Sequence, residues 1–281
     1  MSEVVASRQA VRAAARRRRG RRGAAIAAIS TVVVIGGLIT IIVTSPGWDD
    51  VKQTFFSWPD FKRSFPEVLK GFWLDVKLFC IVEVVVLALG LVIALVRTSR
   101  TAPLFPLRLL AVVYTDVLRG VPTILLVFLI GFGVPALQLS GVPSDPVVLG
   151  CVALALSYTA YVAEVYRAGI RSVHPSQRAA ALALGLTRSQ ALRHVILPQA
   201  VRRVVPPLLN DFISLQKDTA LLSSIFVFEA LFAAQDYAAY NFNYTPFVVV
   251  AVLFVALTIP LARFTDWMGR RMMRRERAGA R

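Results

Sequence analysis

Acidic residues are scarce in this 281-residue chain: 16 Asp and Glu stand against 32 Lys and Arg, a formal charge of +16. Cysteine and histidine are scarcer still, two of each. Cys80 and Cys151 both fall inside apolar runs, far from His174 and His194. That excludes a disulfide framework and a Cys/His metal centre, and the thiols read as small apolar fillers. A phosphate loop of the form G-x-x-x-x-G-K-S/T is missing, so the chain does not hydrolyse ATP by that route. The polar segments are short and hold no Ser-His-Asp or paired-carboxylate arrangement from which to build a catalytic site. The reading is a non-enzyme with no cofactor of its own.

Apolar residues are what the chain has in abundance, at 57%. Uncharged or nearly uncharged runs cover 24–43, 78–96 (interrupted only by Glu83), 121–139, 147–163 and 245–262. A further run near 210–232 is polar in its first half. A nucleic-acid binder would not carry such runs, and their length predicts an all-α polytopic membrane protein with six transmembrane helices.

Arginine placement predicts the orientation. Residues 1–23, 97–120, 167–205 and 263–281 together hold 26 of the 32 basic residues. The intervening segments hold Lys52, Lys62, Arg63 and Lys70, while 140–146 and 233–244 hold none. Basic segments stay inside, so both termini are expected in the cytoplasm, with the chain in the plasma membrane. The cluster Arg16, Arg17, Arg18, Arg19, Arg21 and Arg22 could bind nucleic acid, but it reads better as an anchor on anionic headgroups of the lipid bilayer. The run 24–43 is too long for a signal-peptide core and reads as a retained first helix.

The segment 167–205 predicts two short helices with a sharp turn. Pro175 suits a first helical position, and residues 176–184 are almost all good helix formers. Gly185 stands where a helix end wants a left-handed residue. Thr187 and Gln190 form a capping-box pattern for a second helix, which Pro198 and then Pro206 and Pro207 should limit. By composition alone this hairpin packs on its own protein.

The order of residues points elsewhere. His174-Pro175-Ser176-Gln177-Arg178-Ala179-Ala180-Ala181-Leu182-Ala183-Leu184-Gly185-Leu186 is followed by Leu197-Pro198-Gln199-Ala200 and Lys217-Asp218-Thr219. This order resembles the cytoplasmic coupling loop of ATP-binding-cassette (ABC) importer permeases. Tyr114 to Pro122, with Arg119-Gly120-Val121-Pro122, and Ala160-Tyr161-Val162-Ala163-Glu164 with Arg167, Gly169 and Ile170 resemble the polar amino-acid branch, the histidine/glutamine/glutamate type. The resemblance runs from about Gly71 to Met268. It implies a type I importer core of five helices over 71–268, preceded by a basic N-terminus (1–23), an extra helix (24–43) and an extracytoplasmic loop (44–70), and followed by a basic tail (269–281). It implies partners: a dimer of ATPase subunits that hold ATP and Mg, a second permease subunit (the same chain or a related one), an extracytoplasmic solute-binding protein and a polar amino acid. No nucleic acid is among them. The family carries Glu where this chain has Ala179; Gln177 and Arg178 could supply polar contacts instead. The coupling residues implied are Gln177, Arg178, Ala179, Ala180, Ala181, Gly185 and Leu186.

Intramembrane charge marks the other candidates. Glu83 lies deepest; Lys77, six residues before it, is roughly 120° away around the helix and does not pair with it. Asn210, Ser214 and Lys217 form one polar stripe and Asp211 with Asp218 another. Glu83, Asn210, Ser214, Lys217 and Asp218 are the candidate translocation pathway. Glu164, Arg167 and Arg171 fall on one helix face and read as an interfacial ion-pair ladder, with Arg119 a further interhelical candidate. The reading is an ABC permease subunit for a polar amino acid; the alternatives are a permease for an opine or organic amine, and an uncoupled channel or scaffold.

Overall fold

The computed structural model describes Gly23 and residues 26–99 and 101–279, and no strand occurs among them. The arginine cluster at 16–22 lies outside the described residues. The chain divides into two units, Met1–Thr54 and Phe55–Arg281. In the first, α1 (Ile26–Val43) is apolar all round and every side chain is exposed. Such a helix needs a lipid surround. After it comes α2 (Trp48–Phe55), with Asp49 and Asp50 in its first turn, where the helix dipole favours anions.

The second unit opens on α3 (Trp58–Thr98), 41 residues long. At 1.5 Å per residue it measures roughly 60 Å, about twice a bilayer core. Residues 58–70, expected in a loop, are therefore helix. Ser57 caps its start, accepting from the Asp60 amide at 3.4 Å, and Pro59 sits in the first turn. The Ser57 amide donates to the Thr245 hydroxyl at 3.0 Å, and the Tyr237 hydroxyl donates to Asp60 at 2.7 Å. These bonds fix three helix ends together.

Beyond α3 run α4 (Phe105–Gly120), α5 (Thr123–Gly131), α6 (Gly133–Ala136) and α7 (Pro146–Ser172). The run 121–139 is not one span. Pro122 forces Val121 into extended backbone (φ −91°, ψ 129°), so α4 stops and the chain turns by 104° before α5. Nine residues of α5 reach only about 14 Å.

The last third comprises α8 (Pro175–Ala183), α9 (Arg188–Ala191), a π-helical turn (Leu192–Ile196), α10 (Leu197–Asp218), a 3-10 segment (Thr219–Ile225), α11 (Ala230–Asn241) and α12 (Thr245–Gly279). Two expectations fail here. Pro198, Pro206 and Pro207 do not end the second hairpin helix, which continues through all three. The wide turn just before Pro198 makes room for the ring by displacing the preceding carbonyls, and prolines inside a membrane helix are tolerated where neighbours re-satisfy the freed groups. Nor is 210–232 a continuous span. The α-helix gives way to a 3-10 segment after Asp218, breaks after Ile225 and resumes at Ala230, the two parts bent by 43°. Four described helices are long and apolar enough to cross a membrane, or six if each bent pair counts as one span.

The main core joins α3, α5, α7, α10 and the 3-10 segment through Leu78, Val82, Val127, Leu154, Leu215 and Leu222. A second core packs Val68 of α3 against Ala230, Ala233 and Ala234 of α11 and Val249 and Val250 of α12. Gly71 permits that second contact. A Cβ there would sit 2.5 Å from the backbone carbon of Glu229 and 2.6 Å from the Ala230 nitrogen, and backbone cannot step aside. Gly71→Ala should therefore cost about 1–3 kcal/mol and lower the thermal midpoint of the purified protein, whereas Gly120→Ala, facing open space, should leave it near wild type.

Candidate functional site

The hairpin forms as its residues dictate. His174 caps α8 by accepting from the Ser176 amide at 3.2 Å, and Pro175 takes the first position. At the other end Gly185 adopts φ +82°. Its amide donates to the Leu182 carbonyl at 3.0 Å and the Leu186 amide to Ala181 at 3.2 Å, the paired bonds of a Schellman turn. Thr187 and Gln190 then cap each other: the Thr187 amide donates to Gln190 at 2.9 Å and the Gln190 amide to the Thr187 hydroxyl at 3.3 Å. Ala181 faces inward at 3% exposure, whereas Gln177, Arg178, Ala179, Ala180 and Gly185 are exposed and Leu186 is half-buried. Leu184 stands out at 84% exposure. Gln199 of α10 donates to the Gln177 side chain of the hairpin at 3.4 Å, and Arg203 of α10 donates to the Ser172 carbonyl at the end of α7. The result is a short-helix surface that exposes Gln177, Arg178, Ala179, Ala180 and Leu184.

A second set of groups lies inside the bundle. Glu83 of α3 is buried, and its electrostatic neighbours are Asp211 of α10 and Tyr166 of α7. None of the ion pairs among the described residues involves Glu83. One Asp211 carboxylate oxygen is buried without a hydrogen-bond partner. Farther along α10 the Tyr158 hydroxyl donates to Asp218 at 2.7 Å, tying α7 to α10. Thr258 of α12 donates to the buried Gln216 at 3.0 Å. Asn210 and Lys217 are exposed on the outer side of α10 and Ser214 is half-buried. The stripe Asn210–Ser214–Lys217 therefore does not converge with Glu83 inside this chain; Asp211 and Asp218 do face inward. Glu83 and Asp211, carboxyl groups inside an apolar bundle with no ion pair among the described residues, suit a hydrated passage or a cationic ligand.

The third cluster sits where α3 and α7 end. Glu164 accepts from Arg167 Nε at 2.8 Å and from Arg97 at 2.9 Å, with a further bond from an Arg167 terminal nitrogen. The ladder expected on α7 thus forms between Glu164 and Arg167, but Arg171 makes no ion pair among the described residues. Arg119 lies over the Tyr161 ring at 5.8 Å and joins α4 to α7.

Sequence reading assigns no partner to three further charged residues. Arg97 was counted only as a topological charge, although it bridges to Glu164 sixty-seven positions on. Glu229, fully buried, caps α11 by accepting from Leu231 and Phe232 amides at 2.7 and 2.8 Å. Asp75 beside it accepts from the Ala230 amide at 3.3 Å. A lone acid in Ile225-Phe226-Val227-Phe228-Glu229-Ala230-Leu231-Phe232 was the available signal for that pair. No cluster of three metal-ligating side chains occurs among the described residues.

Residues 86–274 match the family described as the binding-protein-dependent transport system inner membrane component. The glutamine transport system permease protein GlnP of Escherichia coli (strain K12) is 34% identical over 219 residues, covering 77% of this chain and 98% of GlnP. The arginine transport system permease protein ArtQ of Bacillus subtilis (strain 168) is 31% identical, covering 72% of this chain and 92% of ArtQ. Among solved structures, the crystal structure of an amino acid ABC transporter with histidines superposes with a TM-score of 0.68 at 31% identity, covering 74% of this chain and 95% of that one.

Proposed function

The chain belongs to the binding-protein-dependent transport system inner membrane component family, and from that premise we propose that it carries a polar amino acid across the plasma membrane of its cell. It is the permease subunit of an amino acid ABC importer and not the catalytic one. ATP and Mg bind a separate dimer of ATPase subunits, a solute-binding protein delivers the amino acid from outside, and a second permease subunit completes the pathway. In this reading the six spans are α1, α3, α4 with α5, α7, α10 with α11, and α12, with both termini inside. The arginine distribution supports that orientation.

The observation that carries the reading is the exposed hairpin. A Schellman turn and a capping box hold its backbone, Ala181 anchors it inward, and Leu184 is presented outward. Exposed apolar side chains on a rigid element mark a docking surface. A push there passes to α7 through Val173 and to α10 through Gln199 and Arg203. Those two helices carry Tyr158, Asp211 and Asp218, and Glu83 of α3 lies beside Asp211. Closing the ATPase dimer on α8 would thus move the walls of the polar interior and alternate its access. With Ala179 in place of the family's glutamate, Gln177 and Arg178 supply the polar contacts. The carboxyl groups also suit an organic amine, and uptake competition between amino acids and such amines decides between the two substrates.

Gly185→Val should insert normally but uncouple the complex, because a β-branched residue resists φ +82°. Transport and substrate-stimulated ATPase activity should both fall sharply; normal stimulation in an assembled complex refutes the coupling role. Glu83→Gln should lower uptake by roughly ten-fold or more, the loss of one charge-assisted contact of about 1.5–3 kcal/mol, while the affinity of the solute-binding protein stays constant. Wild-type uptake would make Glu83 a structural group. Cysteines placed at Ser140 or Asn241 should react with an impermeant thiol reagent on intact cells, and one at Ser189 only after permeabilisation; the reverse pattern overturns the orientation.

A further inference from the structure

We propose that the cavity between the ends of α3, α4 and α7 binds the phosphate-bearing headgroup of an anionic membrane lipid. The cavity holds about 300 Å³ and four arginines line it: Arg97, Arg108, Arg167 and Arg171. They come from three helices, so the fold and not local sequence assembles them. Arg97 and Arg167 are partly neutralised by Glu164, and Asp116 acts on Arg167 from a distance. Arg108 uses one terminal nitrogen on the Ser99 carbonyl at 2.9 Å and lies over the Phe105 ring. Arg171 has no ion pair among the described residues. Positive charge therefore remains in excess in the cavity.

The second observation concerns Arg97. Its side chain is only 9% exposed, yet its Nε is buried without a hydrogen-bond acceptor. An orphaned cationic donor is costly, and it lines a space walled by further guanidinium groups. A phosphate group suits the four guanidinium groups that line this cavity: its oxygens accept from several planar forks at once. The cavity lies where the apolar runs 78–96 and 147–163 give way to charge, the depth of lipid headgroups. Leu109 and Val112 form its apolar wall, a path for acyl chains. Basic pockets between helices at this level recognise anionic headgroups. The site itself stands on these residues alone; its assignment to the inner leaflet rests on the orientation proposed above.

The test uses the full chain in the assembly in which it is extracted from its membrane, with spin-labelled phosphatidylglycerol and phosphatidylcholine as probes. The wild-type protein should prefer phosphatidylglycerol. Arg108→Gln and Arg171→Gln should each weaken that preference by roughly five-fold, and Arg108→Lys, which keeps the charge, should retain most of it. Arg202→Gln, on exposed α10 outside the cavity, should leave it unchanged. Thermal midpoints of the variants near wild type separate lost binding from lost fold. Unaltered preference in the double variant Arg108→Gln/Arg171→Gln overturns the proposal. So does an equal loss in Arg202→Gln, which would reduce the effect to general basicity. Displacement of the labelled lipid by inorganic phosphate as readily as by unlabelled phosphatidylglycerol would make the site one for the free anion and overturn the lipid assignment.

Discussion

Close approach of α7 to its neighbours is the constraint on which the rest of the bundle depends. In lipid, helices gain little from hiding apolar surface from one another, so association relies on packing at short range. Along α7, Ala153, Ala160 and Ala163 are fully buried, and Gly150 and Gly169 meet Leu222 and Val204. A larger side chain at these positions would push α3, α5 or α10 outward. Because α7 touches all of them, such a shift would disturb the Tyr158–Asp218 bond and the Glu83 environment together. The small residues on α7 thus set the geometry of groups that lie elsewhere.

The same helix connects interior and surface. It ends at Ser172, and α8 begins three residues later at Pro175. So short a link leaves no slack in which a displacement of the hairpin could be absorbed. From α10, Gln199 bonds the hairpin at Gln177 and Arg203 bonds the last carbonyl of α7. Leu184 and its neighbours are thus joined by short links to the helices that carry Tyr158, Asp211 and Asp218.

Local chemistry was readable from the chain, and assembly was not. The cap at Thr187 and Gln190, the positive φ of Gly185 and the first-turn Pro175 each depend on residues within a few positions, and each formed as expected. Glu164 with Arg167 formed for the same reason. The pairing of α4 with α5 was missed because residues 97–120 carry arginines and read as a loop, and the bend between Ile225 and Ala230 because hydropathy measures transfer energy, not direction. The continuation through Pro206 and Pro207 was missed because soluble-protein rules treat a missing donor as a stop, whereas a bilayer leaves the chain few alternatives to helix. Arg97 with Glu164, and Asp75 with Glu229, are pairs of distant residues that only packing brings together.

The prolines of α10 have a mechanical corollary. Pro206 and Pro207 donate no amide hydrogen, so the carbonyls of Arg202 and Arg203 lack their usual helical donors; the π-helical turn at Leu192–Ile196 precedes them by a few residues. By contrast, α7 carries no proline after its first residue. Of two levers rooted in the same hairpin, one is stiff and the other compliant. In the proposed coupling, a displacement applied equally to both would become a rotation, the arm with missing rungs bending while the other transmits its stroke. An axial push would then be read out as a change of angle between the walls of the bundle.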